Sequence, residues 1–215
     1  MNLIDDLRNT LKELTYFIPY SPFRGIVWHV MIKNVTSVLD LGCSNGSMGR
    51  VLKLHDPDLI VVGVDVHVPY LKRIKRGGLY EECIAAEASH LPFKDRSFES
   101  VLCIEMIEHM RKDDVKELLA QIEKIARKQI VISTPVGNPP EGGSKDRNVF
   151  QFHKSEWTPD ELRRLGYKVR GEFGPSFGHR FKAIYYVSFV FPTASLVWYA
   201  PKVASHMIAY KIFWT

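Results

Sequence analysis

The chain has 215 residues, 46% of them hydrophobic and 25% charged, which is the composition of an ordinary globular domain and excludes a fibrous, low-complexity or disordered protein. Three cysteines, Cys43, Cys83 and Cys103, are odd in number and far apart, so no disulfide framework and no CxxC metal or redox site is written here, and a reducing, cytoplasmic setting is expected. The formal charge of +5 is unevenly spread: residues 1–140 hold 18 basic and 18 acidic side chains, residues 141–215 hold 11 and 6. Such a bias marks either a solvated basic surface or an anionic partner.

The N-terminal MNLIDDLRNTLKEL carries acids where a secretion signal would have a basic start and an apolar run, which argues against secretion. Leu3, Leu7, Leu11, Leu14 and Ile18 recur at helical spacing, and Ser21-Pro22 opens a second helical stretch, a cap followed by proline at the first position. From Ser37 onward, short β-rich runs alternate with helical ones. SVLDL, LIVVGVD, CIAAEA, SVLCIE and QIVIST read as strands. The clearest helix follows Lys112, with Val115, Leu118, Leu119, Ile122, Ile125 and Ala126 on one face and Asp113 as its expected cap. Apolar strands separated by helices imply a doubly wound, mostly parallel α/β sheet covered on both faces, which binds ligands outside the carboxyl ends of its strands.

Residues 137–147, GNPPEGGSKDR, form a glycine- and proline-rich insert over that edge. Ala183 to Pro201 contains no charge and approaches the ~20 residues of a membrane span. Pro192 and Pro201 interrupt it, however. AIYYVSFVF has the β-branched and aromatic make-up of a buried central strand, and the stretch after Thr193 that of a peripheral apolar helix offering Trp198 and Tyr199 to an interface. We expect a single domain, with residues 1–35 an N-terminal helical cap, 36–170 the core, and 171–215 a C-terminal strand and apolar helix.

Gly42-Cys43-Ser44-Asn45-Gly46 fits two incompatible patterns. One is the G-x-S-x-G elbow of serine hydrolases, and the other is a glycine loop that lets a nucleotide approach the backbone between a strand and a helix. An elbow should follow an HGGG-like segment, and nothing of that kind precedes Ser44. A nucleotide loop predicts an acid after the next strand, about 20 residues on, and Asp65 stands there. The dinucleotide fingerprint itself is broken by Ser44 and Ser47.

What remains is VLDLGCSNG, then GVDV, then AEASHLPFKDRSFESV, then EMIEHM. In that order and at those spacings it resembles the class I (Rossmann-like) S-adenosylmethionine-dependent methyltransferases, of the type 11 kind, from about Val38 to Val169. The resemblance implies a seven-stranded sheet and S-adenosylmethionine as cofactor. Asp40, Gly42, Ser44 and Gly46 would cradle its amino-acid end, with Asp65 at the ribose, Glu87 and Ala88 near the adenine, and Val66 and Glu105 as further residues close to the cofactor. Glu87 and Glu99 stand where the family usually has aspartate, and Glu99 reads better as a strand-edge charge.

Glu105, Glu108 and His109 lie at i, i+3 and i+4, so one helical turn would bring them to one face. Such donors suit Mg²⁺ or Mn²⁺. The segment FQFHKSEWTPDEL adds His153. This part resembles the metal-dependent methyltransferases of small-RNA 3′ ends, a likeness that implies Glu105, Glu108, His109 and His153 as ligands. Without metal, His109 and Glu108 are the candidate catalytic residues. The expected reaction transfers a methyl group to an O or N atom of a small, hydrophobic or lipid-linked acceptor, the tail making peripheral membrane contact. The runners-up are an RNA 3′-end 2′-O-methyltransferase and a non-catalytic cofactor-binding module.

Overall fold

The computed structural model describes Val27 and residues 30–137, 149–175 and 198–213. Seven strands form one sheet: β1 (Ser37–Leu41), β2 (Ile60–Asp65), β3 (Glu82–Ala85), β4 (Phe98–Ile104), β5 (Ala126–Pro135), β6 (Lys168–Pro175) and β7 (Ala204–Ile212). Their order across the sheet is β3-β2-β1-β4-β5-β7-β6. The β3-β2-β1-β4-β5 part is parallel, and β7 runs antiparallel to both β5 and β6. The chain order reverses between β1 and β4, which is where such a sheet opens a crevice at its carboxyl edge.

Both faces are covered, and the alternation along each strand shows how. Leu39 and Leu41 of β1 and Ile130 and Ile132 of β5 pack with Val115, Leu118, Leu119 and Ile122 of α3 (Lys112–Ile125). Val38 and Val131 point the other way, onto Met48, Val51 and Leu52 of α1 (Ser47–His55) and Leu71 and Ile74 of α2 (Val68–Lys75). Successive side chains on a strand face opposite sides, so a strand buried on both reads as a continuous apolar run. The core strands were legible for that reason.

The doubly wound, seven-stranded architecture is as expected, and four local expectations are corrected. α3 is not capped by Asp113: Arg111 occupies the cap position without a side-chain bond to the helix amides, and Asp113 lies in the first turn, paired with Lys116. The third strand ends at Ala85, so Glu87 sits in an exposed loop rather than on a strand. The last strand in the chain is Ala204–Ile212, a segment whose His206, Tyr210 and Lys211 disguise it. Glu105, Glu108 and His109 do not share an α-helical turn, because a short 3₁₀ turn spans Ile107–His109 and Glu105 precedes it in a left-handed conformation, φ 52°. The N-terminal helices, most of the glycine-rich insert and AIYYVSFVF lie outside the described residues. Among the described residues no helix is long and apolar enough to cross a membrane.

Candidate active site

The carboxyl edge of β1 and β2 carries the first half of the site. Gly42, Ser44 and Gly46 all adopt positive φ (69°, 47° and 77°), so the chain coils tightly between β1 and α1. At Gly46 an added Cβ would sit 2.7 Å from Cγ2 of Ile74, and that turn therefore needs glycine sterically as well as conformationally. The loop is fastened to the neighbouring strand: the amides of Gly42 and Cys43 donate to the Val64 carbonyl at 2.8 and 3.0 Å. The amide of Ser44 donates to Oδ2 of Asp65 at 2.8 Å, and that of His67 to Oδ1 at 2.7 Å. Asp65 thus clasps the loop with one oxygen and starts the next turn with the other. Each oxygen keeps a second lone pair for a ligand hydroxyl.

Asp40 is 1% exposed and faces inward. The Tyr80 hydroxyl donates to its Oδ2 at 2.6 Å and accepts from the Gly49 amide at 3.0 Å. Burial, then the Asp40 charge beside it, pushes the Tyr80 hydroxyl well above the ordinary tyrosine range, so it remains a donor. Sequence reasoning missed Tyr80, which follows a Gly-Gly turn and belongs to no periodic segment. Val66 is half-buried just beyond β2, and Ala88 packs against the core. The carbonyls of Ala88 and Ser89 accept from Nε2 of Gln121 on α3, a second residue the sequence did not flag.

The second half lies past β4 and β5. Glu108 is 2% exposed, its Oε2 accepting from the Thr134 hydroxyl at 3.0 Å. Burial, then the nearby Glu105 charge, raises its pKa well above the usual carboxylate range. The segment after Phe152 is laid over this corner: Lys154 and Ser155 donate their amides to the Glu108 carbonyl, and Nδ1 of His109 meets the Phe152 carbonyl at 3.3 Å. That brings the His109 and His153 rings to 4.9 Å between centroids. Burial lowers the pKa of both, so both tend to the neutral form. Nδ1 of His153 is buried with no hydrogen-bond partner among the described residues.

Ligand atoms of Glu108, His109 and His153 all lie within 4.8 Å of one another. Glu105 is not among those three. Its Oε1 accepts from the Ser133 hydroxyl at 2.9 Å, and its Oε2 lies 3.4 Å from Nε2 of His206 on β7. His206 was not flagged either, since β7 itself was hidden.

Comparison with known proteins bears on the same elements. Residues 38–129 match the family described as a methyltransferase domain. Over 133 residues the chain is 37% identical to an uncharacterized protein of Methanocaldococcus jannaschii, covering 60% of this chain and 55% of that one. It is 26% identical over 140 residues to a demethylmenaquinone methyltransferase of Thermotoga maritima, covering 63% and 58%. The matched stretch therefore spans little more than half the length of these relatives. Among solved structures, a SAM dependent methyltransferase from Archaeoglobus fulgidus superposes with a TM-score of 0.57 over 92% of this chain and 99% of that one, at 19% identity, a likeness of fold.

Proposed function

We propose that this chain is a class I, Rossmann-like methyltransferase, which binds S-adenosylmethionine and transfers its methyl group to an O or N atom of a small apolar acceptor. One observation carries the reading: the left-handed loop Gly42–Gly46 at the end of β1 is held by the Asp65 carboxylate at the end of the adjacent β2. That arrangement presents backbone and a carboxylate to one ligand at the crevice of a doubly wound sheet.

When bound, the cofactor supplies an activated methyl group. The residues of this chain have the remaining work of orienting the acceptor, excluding water and taking its proton. His109 suits the last task. With Nδ1–H donated to the Phe152 carbonyl, Nε2 carries the lone pair, and the lowered pKa keeps it available at neutral pH. Phe152, whose carbonyl meets His109, is 52% exposed, and Phe150 two residues before it is 41% exposed; these rings favour an apolar acceptor. The resemblance to the Thermotoga maritima enzyme, named for demethylmenaquinone, points the same way.

Isothermal titration with S-adenosylmethionine and S-adenosylhomocysteine tests the cofactor half, and absence of binding by both at high micromolar concentration sinks it. Extract profiling with a labelled methyl donor identifies the acceptor. Flotation on anionic vesicles tests peripheral membrane contact, and a protein that stays wholly with the soluble fraction refutes it.

A second reading rests on His153 Nδ1, which has no hydrogen-bond partner among the described residues, and on the convergence of Glu108, His109 and His153. One carboxylate and two imidazoles fit a divalent ion such as Mn²⁺ or Mg²⁺. A bound ion would lower the pKa of an acceptor hydroxyl. RNA is the acceptor under this reading, contacted through the basic last third, and its binding should weaken with added salt. Electron paramagnetic resonance of added Mn²⁺ separates the two, since a spectrum of free ion alone removes the metal.

A further inference from the structure

The glycines around the loop clear space for a side chain of this protein. Tyr80, 7% exposed, lies between the Gly77-Gly78 turn and β3. An added Cβ at Gly49 of α1 would sit 2.4 Å from its Cε2, one at Gly63 of β2 would sit 2.9 Å from its Cδ1, and one at Gly46 would lie 3.3 Å from Cε2. A loop glycine, a helix glycine and a strand glycine therefore form one slot, and the tyrosine ring fills it. Glycine is a poor helix former unless something needs the room, and in the first turn of α1 the ring at Gly49 needs it.

The hydroxyl at the end of that ring meets two groups that bracket the loop. Asp40 lies two residues before Gly42, and Gly49 three residues after Gly46. α1 begins at Ser47 with Gly46 at its cap position and no side-chain cap. The Gly49 amide is then one of the helix's orphan donors, which a serine or aspartate at the cap normally satisfies. Tyr80, 31 residues away in sequence, accepts it instead. The same hydroxyl gives its proton to the buried Asp40.

We propose that Tyr80 is a remote cap and strut of the glycine loop, a positioning residue that sets the loop's shape for its ligand by tying the end of β1 to the first turn of α1. This assignment rests on the methyltransferase reading only for the identity of that ligand.

Tyr80→Phe removes the hydroxyl and leaves the ring in its slot. Binding of S-adenosylhomocysteine should weaken about tenfold, and amide hydrogen exchange at Gly49 should accelerate by at least a similar factor. Unchanged affinity with a lowered melting temperature would mean that Tyr80 only stabilises the fold, which overturns the proposal. The fit of the slot is tested separately. Gly49→Ala should lower both stability and affinity, whereas Gly49→Ala with Tyr80→Leu, in which the clashing ring is gone, should regain the stability lost to Gly49→Ala while binding as weakly as Tyr80→Leu alone. If the double variant is no more stable than Gly49→Ala, the ring is not what Gly49 makes room for. Wild-type protein that binds neither S-adenosylmethionine nor S-adenosylhomocysteine would sink the methyltransferase reading instead. The strut would then stand or fall on exchange at Gly49 alone, where equal rates in wild type and Tyr80→Phe overturn it.

Discussion

The two halves of the carboxyl edge are built on opposite plans. At β1 and β2 the polar groups discussed above have found partners: Asp65 accepts two amides, Asp40 accepts the Tyr80 hydroxyl, and Tyr80 in turn accepts from Gly49. Past β4 and β5 the groups, Glu108 buried and His109 and His153 half-buried, are incompletely matched. Glu108 is pushed toward its neutral form, His109 and His153 are pushed away from their charged forms, and a ring nitrogen of His153 has no partner among the described residues. Satisfied networks are rigid, and half-satisfied ones are costly unless something else uses them. The first half has the character of a preformed binding site. The second has that of a site left open for chemistry.

If that division is right, variants in the two halves should move different quantities. The largest effect is expected in the open half: His109→Ala should lower kcat by roughly 10²- to 10⁴-fold, the range of a lost general base, with affinity for S-adenosylhomocysteine nearly unchanged. Single-turnover kinetics beside titration separate the two, and an equal loss in both would dissolve the distinction. In the satisfied half, Asp65→Ala should instead weaken cofactor binding by about 1.5–3 kcal/mol, the worth of hydrogen bonds to a charged group, and affect the rate at saturating cofactor far less.

How much of this could be read from the sequence follows the same division. The loop glycines and Asp65 are local: a strand, a turn needing positive φ and an acid at the end of the next strand lie within a few dozen residues. Tyr80 is different, because its partners Asp40 and Gly49 are 40 and 31 residues away, and its ring fills space that no periodicity announces. The open half spans still longer separations. His109 and His153 meet only because the chain from Phe152 to Trp157 is laid over the 3₁₀ turn, with Ser155 donating to the Ile107 carbonyl and Trp157 to Ser155. Glu105 was placed in the metal group on helical spacing and on the resemblance to the small-RNA 3′-end methyltransferases; its backbone is left-handed and its carboxylate meets Ser133 and His206. β7 escaped notice because it is central and antiparallel, so charge and tyrosine at its end broke the apolar pattern.

A steric change sharpens the contrast without touching a polar group. Gly46→Ala places a methyl 2.7 Å from Ile74 at a backbone φ of 77°, and should cost roughly 1–3 kcal/mol of stability, measured by denaturant unfolding. Its effect should appear as weaker cofactor binding in whatever folds. Normal affinity would show that the loop tolerates distortion and that its shape is not what binds.

The smallest effect is expected at the opposite edge of the sheet, where Glu99 stands at the start of β4. Its Oε2 accepts the Thr36 amide at 2.8 Å, and its Oε1 meets Nζ of Lys128 at 2.9 Å and lies 3.8 Å from Arg127. Burial pushes the Glu99 pKa up, but the Lys128 ammonium, the Thr36 amide and Arg127 together outweigh it, and the net shift is downward from 4.5. The folded state therefore holds this carboxylate ionised at a pH where the unfolded chain has begun to protonate it. Its contribution is fully present above the unfolded value near 4.5 and is lost as pH falls through the lower folded value. Glu99→Gln should cost on the order of 1 kcal/mol at neutral pH and flatten the fall of stability below about 4.5, the two proteins converging in acid. Melting temperature against pH reads this directly. Cofactor affinity at pH 7 should not move, because the side chain ties β1, β4 and β5 together at the edge away from the glycine loop. A change in that affinity would mean that the two edges are coupled and that the loop's geometry depends on how the sheet is closed beneath it.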